Sequence, residues 1–467
     1  MSWLIRDVSL ADGTTGVDVR LADAAAPETG PAPHAGVITG AGPDPLAGVV
    51  TGARPRPQDG VVTGAEPTPR DRVTAGAGPG PRGGVIAEVG PGLRADGETE
   101  VDGHGAVLLP GLHDHHIHLH STAASRESVD CTTGLDALRG TDAPRVRAVG
   151  AGVSVDRHTL DRLVPDRPVR VQHRSGALWM LNTAALAELA PLPHLPGIER
   201  DASGEPTGRL WRLDDLLRGT WPRRGDLTAL GRELTAFGIT GVTDATPGLA
   251  DAPALPQRVT LLGERKLLLH DHDLPFYDEL RDRIATLHHR GLPVAVHCVT
   301  RVSLLLTLAA LDEVGILPGD RIEHGAVIPD PAALRGLTVV TQPAFAVANR
   351  ERYRAEVDPD DLPFLYPYAR LLAAGVPVLP SSDAPYGPLD PWEIMRAAAT
   401  RELGAGERVP VRTVLDGFLR DAELRPRSIT PGAPADLVLL AAPLDTALDA
   451  PDGALVRHVW IDGEQLR

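Results

Sequence analysis

The chain has 467 residues, 42% of them in the hydrophobic class, enough for one large domain with accessories or for two to three domains. Its 62 acidic residues outnumber its 46 Lys and Arg, and a formal charge of −16 argues against binding to phosphate backbones, so nucleic acid is not an expected partner. Apolar stretches such as 304–311 stop well short of the roughly 18 residues of a membrane span, and the start MSWLIRDVSLADG lacks a signal-peptide pattern. Those features predict a soluble cytoplasmic protein with no membrane partner.

In chain order, short strands are expected at 16–21, 84–89 and 106–109, separated by Gly and Asp turn signals. Between the first two, residues 36–83 hold four units of twelve, beginning GVITGAGPDPLA and GVVTGARPRPQD, with Gly40, Gly52, Gly64 and Gly76 in register. Each unit ends in a Gly-Ala-x-Pro-x-Pro run with few side chains able to bury surface, so a flexible insertion is expected there. From Gly111 onward, apolar runs at 239–243, 266–269, 294–297, 321–324, 338–341 and 376–379 alternate with helix-like stretches such as 275–289 and 302–314. Strands alternating with helices imply parallel βαβ units, and this number of them fits an α/β fold of the (β/α)8 barrel kind over 111–425. The tail returns to strands at 435–440 and 456–462. Segments 1–35, 84–110 and 426–467 are therefore expected to meet in one small composite β-sandwich.

The segment PGLHDHHIHLH places five histidines within residues 113–120, offering i,i+2 pairs at 113/115, 116/118 and 118/120. Residues two apart in a strand share a face, so such a pair can converge on one divalent ion. With only Cys131 and Cys298 in the chain, a metal site must be built from His and carboxylate. Two later strands end in histidine, PVAVH at His297 and DRIEH at His324, where the C-terminal strand ends of a barrel carry the chemistry. The strand VPVLPSSD ends on Asp383, which can cap a following turn or act as a metal ligand and proton carrier. Lys266 is the single lysine among 46 basic residues.

This order of His-x-His, Lys, His, His and Asp over successive strands resembles the amidohydrolase superfamily of metal-dependent hydrolases. RIEHG, SSDAPYGPLDPW and PGAPADLVLL are similar to its amidohydrolase-3 branch, the group that resembles N-substituted formamide deformylase. The stretches VQHRSGALWMLNTAAL and EPTGRL look like that branch's barrel insertion, expected around 165–230. The resemblance selects His116 and His118 from the histidine cluster, adds His297 and His324 as ligands, and makes Asp383 both ligand and catalytic acid/base. It puts Lys266 at the fourth-strand lysine, which is carboxylated in some relatives and bridges two metals. One or two divalent ions per chain, zinc by preference, follow from it, and so does hydrolysis of an amide-like C–N bond in a small organic molecule. One departure stands out, because the Gly-Asp pair that many relatives carry after the fifth-strand histidine is replaced by His297-Cys-Val-Thr-Arg301.

A zinc deaminase would need a Glu shortly after His297, which 299–301 lacks. A lactonase shares the metal set and differs in the bond cut, whereas a non-catalytic scaffold would be expected to have lost ligands that are all retained here. Seven of the 16 aromatic residues lie between Phe345 and Trp392. Phe345, Tyr386 and Trp392 are therefore candidate substrate contacts, together with His173 and Arg174 at the start of the insertion. A homo-oligomer is compatible with this reading.

Overall fold

A computed structural model of the chain describes residues 2–23, 83–214, 216–217, 225–271 and 273–467. The repeat expected at 36–83 lies outside the described residues except for Gly83. No helix among the described residues is long and apolar enough to cross a membrane.

Five strands open the described chain: β1 (Trp3–Leu10), β2 (Val17–Asp23), β3 (Gly84–Gly90), β4 (Thr99–Asp102) and β5 (Val107–Pro110). After Gly111 comes β6 (Leu112–Ile117), whose six residues are all buried. An inserted sheet follows, built from β7 (Val129–Asp130), β8 (Val146–Ala151), β9 (Val169–His173), β10 (Leu178–Leu181), β11 (Ile198–Arg200) and β12 (Pro206–Trp211). The insertion thus begins at Val129, upstream of the expected 165. Its spatial order is β11-β12-β10-β9-β8-β7. On one face Val146, Ala148, Val169, Val171, Leu178 and Met180 form a separate apolar core.

Seven parallel-paired strands come next: β13 (Ile239–Pro247), β14 (Arg258–Gly263), β15 (Lys266–Leu268), β16 (Ala295–Cys298), β17 (Arg321–His324), β18 (Thr338–Thr341) and β19 (Val378–Pro380). They form two sheets, β14-β13-β6 and β15-β16-β17-β18-β19. The sheets part at the two-residue turn Glu264–Arg265. At the other side, β6 and β19 are tied by their exits, where Asp383 N–H donates to His116 O at 2.8 Å and His118 N–H to Ala384 O at 3.0 Å. Close approach in this layer depends on missing side chains: a Cβ on Gly241 would lie 2.5 Å from the His113 ring.

The covering helices show why the sequence alternates as it does. Helix Tyr277–His289 buries Leu280, Ile284 and Leu287, and helix Arg301–Val314 buries Leu304, Thr307 and Leu311. Both patterns follow one stripe of a helix of 3.6 residues per turn laid on the sheet.

The last strands are β20 (Leu437–Leu440), β21 (Val456–Ile461) and β22 (Glu464–Gln465). They join the first five in one eight-stranded sheet, order β22-β21-β20-β5-β1-β2-β3 with β4 on β1. Pairing of N- and C-terminal segments is thus direct. The strands β5 and β20 serve two cores at once, because alternate residues point to opposite faces. Leu108, Leu437 and Leu439 enter the terminal core with Val19, Leu21 and Trp460, while Val107, Leu109, Val438 and Leu440 enter the main core.

Asp436, just before β20 and 1% exposed, fastens this sheet to the parallel strands. It accepts from Arg258 Nε at 2.6 Å, from an Arg427 guanidinium nitrogen at 3.2 Å and from the Asp462 N–H at 2.9 Å. Removing one partner of a buried charge network strands the others, at a cost of about 3–5 kcal/mol. Asp436→Ala is accordingly expected to lower the unfolding free energy read from a urea titration by about that amount. A loss under about 1 kcal/mol would mean that water, and Asp462 in the case of Arg258, satisfy the two arginines instead.

Candidate metal centre

The parallel register gathers the expected residues at one end of the strands. Leu268 stands opposite His297, His297 opposite Glu323, and Cys298 opposite His324. His116 is near the end of β6, His118 follows it, and Asp383 lies three residues past β19. Two of these residues leave their strands in the left-handed region, His324 at φ 67° and Asp383 at φ 51°. Non-glycine residues rarely adopt that conformation, and it costs of order 1–3 kcal/mol where the surroundings impose it. Here it turns both side chains into the same space.

Donor atoms of His116, His324 and Asp383 all fall within 4.8 Å of one another, and all three residues are buried. Asp383 Oδ1 is 3.5 Å from His116 Nε2 and 3.4 Å from His118 Nε2. Asp383 Oδ2 is 3.6 Å from His324 Nδ1. Tautomers follow from the partners on the far sides of the rings. His116 Nδ1 donates to the Glu323 carboxylate, and His324 Nδ1 donates to Gln342 Oε1 at 2.9 Å, so each ring keeps an Nε2 lone pair. His118 Nδ1 is 3.3 Å from Thr246 Oγ1.

Asp383 Oδ1 is buried with no hydrogen-bond donor, 3.5 Å from His116 Nε2, whose lone pair meets the Lys266 amine at 3.4 Å. Among the described residues Lys266 is the one cation that the chain itself places beside this cluster, and it leaves the Asp383 oxygen without a donor, a lack that a bound cation would relieve. The donor set, imidazole nitrogens with one carboxylate, suits a divalent ion such as zinc. The residues therefore fit a divalent metal.

Burial and the nearby Lys266 charge push His116 down to about 3, against the pull of Glu323 and Asp383, so its ring is neutral and able to ligate at any ordinary pH. Burial likewise holds His297 well below the usual range, helped by His324 and Lys266. For Asp383 burial acts upward, yet His324, His116 and His118 outweigh it and hold the carboxyl well below its usual value. Lys266 is buried 3.4 Å from His116 Nε2 and 4.0 Å from Glu323 Oε2. Desolvation lowers it to about 8 despite those acids.

His297 stands one step out, its ring centroid 4.4 Å from that of His324. Cys298, its neighbour, points the other way, with Sγ 3.3 Å from Thr307 Oγ1, and burial pushes the thiol up to about 12, so it is no nucleophile. Among the expected substrate contacts, Tyr386 is 41% exposed with its ring 6.0 Å from His118. Phe345 packs edge-on against Tyr366 at 6.2 Å. His173 bonds to Ser175 within its own turn, and Arg174 is exposed and paired with Glu356 at 3.0 Å. Trp392 corrects the sequence expectation: it is fully buried in the main core and donates from Nε1 to Phe237 O at 3.1 Å, leaving no face for a ligand.

Several supporting residues escaped the sequence reading. Glu323 is fully buried between His116, Arg321 and Lys266. Gln342 fixes the His324 ring, and Asp114, raised to about 6 by burial, accepts from Ser382 and links β6 to β19. Glu323 lies between Arg321 and His324 in a strand with no exposed residue, which its sequence pattern does not mark. A carboxylate in such a strand needs a cationic or N–H partner.

Solved structures of similar shape are metal-dependent hydrolases. One is an uncharacterized metal-dependent hydrolase from Pyrococcus horikoshii, TM-score 0.58 and 18% identical, covering 82% of this chain and 96% of that one. Another, from Pyrococcus furiosus, has a TM-score of 0.56 and 16% identity, covering 90% and 93%. The α/β fold is therefore shared with these two structures. The chain itself belongs to the amidohydrolase family, Amidohydro_3, whose model matches residues 99–467. It is 25% identical over 482 aligned positions to N-substituted formamide deformylase of Arthrobacter pascens, covering 78% of this chain and 89% of the relative.

An outer partner that orients a ligating histidine is worth about 10–100-fold in metal affinity. Glu323→Gln is expected to weaken metal retention by about tenfold in competition with a chelator. Unchanged retention would show that His116 is held by its packing alone.

Proposed function

We propose that this protein hydrolyses an amide-like C–N bond of a small organic substrate, with Zn2+ as the metal. The observation that carries the reading is the buried, donor-free Oδ1 of Asp383, set among His116, His118 and His324. In this reading β6 and β13–β19 act as a closed (β/α)8-type barrel, and the terminal sheet as its composite β-sandwich.

His116, His118, His297, His324 and Asp383 would hold the first ion, and a carboxylated Lys266 would supply oxygens for a second. Bound there, a divalent ion polarises the substrate carbonyl and lowers the pKa of water toward about 7. The chain's own residues do the rest. Asp383, carboxylate at working pH, takes a proton from the attacking water and delivers it to the departing nitrogen. The C–N bond breaks, a C–O bond forms, and the products are an acid and an amine. Glu323 keeps His116 in the tautomer that presents Nε2, and Gln342 does the same for His324. Tyr386, beside His118 and partly exposed, forms one wall of the substrate space. The printed name of the Arthrobacter relative makes N-substituted formamides the first substrates to try.

Elemental analysis of protein purified without chelator is expected to give one or two divalent ions per chain, with removal abolishing turnover and zinc restoring it. Activity that survives complete removal would end the metallohydrolase reading. Asp383→Asn keeps an oxygen at the same place but cannot carry the proton. It is expected to retain metal while losing about 10²–10⁴-fold in kcat on an N-substituted formamide; full turnover by this variant would remove Asp383 from the proton path.

A further inference from the structure

The inserted sheet has two unlike faces. Along β8, β9 and β10 the residues 146, 148, 169, 171, 178 and 180 form the apolar core described above. Period-2 alternation sends Arg147, Arg170, Gln172 and Trp179 to the other side, and the register confirms it, pairing Arg147 with Arg170 and Gln172 with Trp179. Both guanidinium groups lie over the Trp179 ring, Arg147 at 5.4 Å and Arg170 at 5.2 Å from its centroid. Trp179 Nε1 donates to Asp214 at 2.8 Å. Two carboxylates, Asp214 and Glu127, act on Arg147 from nearby, and neither forms an ion pair with it among the described residues.

Tyr386 connects that face to the metal centre. Its ring is 6.0 Å from His118, and its hydroxyl sits against the β9–β10 turn so closely that a Cβ on Gly176 would be 2.6 Å away. Arg147 and Asp214 both act on Tyr386 electrostatically. Arg147 commits one terminal nitrogen, to Ala124 O at 3.0 Å and to Ser128 Oγ. Its Nε and second terminal nitrogen make no hydrogen bond, and the residue makes no ion pair among the described residues. The uncommitted edge is the one that meets a carboxylate side-on with two parallel N–H bonds.

We propose that Arg147, presented by the inserted sheet between Trp179 and Tyr386, binds a carboxylate on the substrate, so that the preferred amide is an organic anion. The inference rests on the hydrolase reading for the word substrate, and its test separates the two. Calorimetry on the metal-loaded protein compares 3-phenylpropionate with 3-phenylpropanol, neither of which has a C–N bond to cleave. A charge-assisted pair favours the acid by about 10–100-fold. Arg147→Gln keeps an N–H for the Ala124 carbonyl, removes the charge, and is expected to bring the two ligands within about threefold while the unfolding midpoint stays put. Arg147→Lys keeps the charge without the side-on fork and is expected to fall between them.

The proposal is overturned if the unaltered protein binds both ligands equally. It is also overturned if Arg147→Gln keeps the full preference, since the anion would then sit on the metal or elsewhere. Turnover is read separately on N-formylphenylalanine and its amide. A carboxylate preference in binding with neither compound cleaved would sink the amide-hydrolase reading and leave the anion site standing. Faster turnover of the acid that disappears in Arg147→Gln supports both.

Discussion

A carboxylate oxygen buried without a donor is costly, and Asp383 is held in that position by nearly every element around it. Its own backbone N–H is anchored on the carbonyl of His116, so ligand strand and acid strand are tied at the point where they must agree. Asp114 accepts from the backbone and hydroxyl of Ser382, fixing the residue before the acid. Glu323 and Gln342 fix the tautomers of His116 and His324 through their Nδ1 atoms. In the metal-bound reading proposed above, a divalent ion would complete this set beside Lys266, and metal binding would be coupled to its local order.

The rest of the architecture keeps that end of the strands in register. Terminal strands far apart in sequence close on one another, and β5 leads through Gly111 directly into the histidine strand. Asp436 repeats on the outside the logic used at the centre, a buried acid ringed by arginines and backbone N–H groups. The inserted sheet is different in kind. It has an apolar core of its own on one face, and on the other Trp179 joins a second apolar cluster with Leu181 and Leu210 while Arg147 and Arg170 lie over its ring.

Much of this was legible in the sequence because the relevant features are periodic or terminal. The runs ending in His297 and His324, the His-x-His after Gly111 and the acid after VPVLPSS are all strand exits, and the helices over 277–289 and 301–314 show their buried stripes plainly. Glu323 was not legible, since a strand buried on both sides has no alternation to mark one residue as special. Arg147 was hidden among 45 arginines, and only the register of β8 on β9 sets it beside Trp179. Arg174, nearer in sequence to the candidate motif, turned out to be a solvent-facing partner of Glu356. Trp392 was misassigned because clustering in sequence says which loop an aromatic ring is near, whereas its helix position decides whether it faces the core.

The burial of Lys266 has a consequence for how the molecule can be handled. With the chain's single lysine 2% exposed, the described surface offers acylating and cross-linking reagents no lysine amine, and side-chain labelling must go through carboxylates or introduced cysteines. Every other fixed positive charge is a guanidinium, so the surface ion pairs keep their cationic half throughout the pH range in which lysine-rich proteins lose theirs.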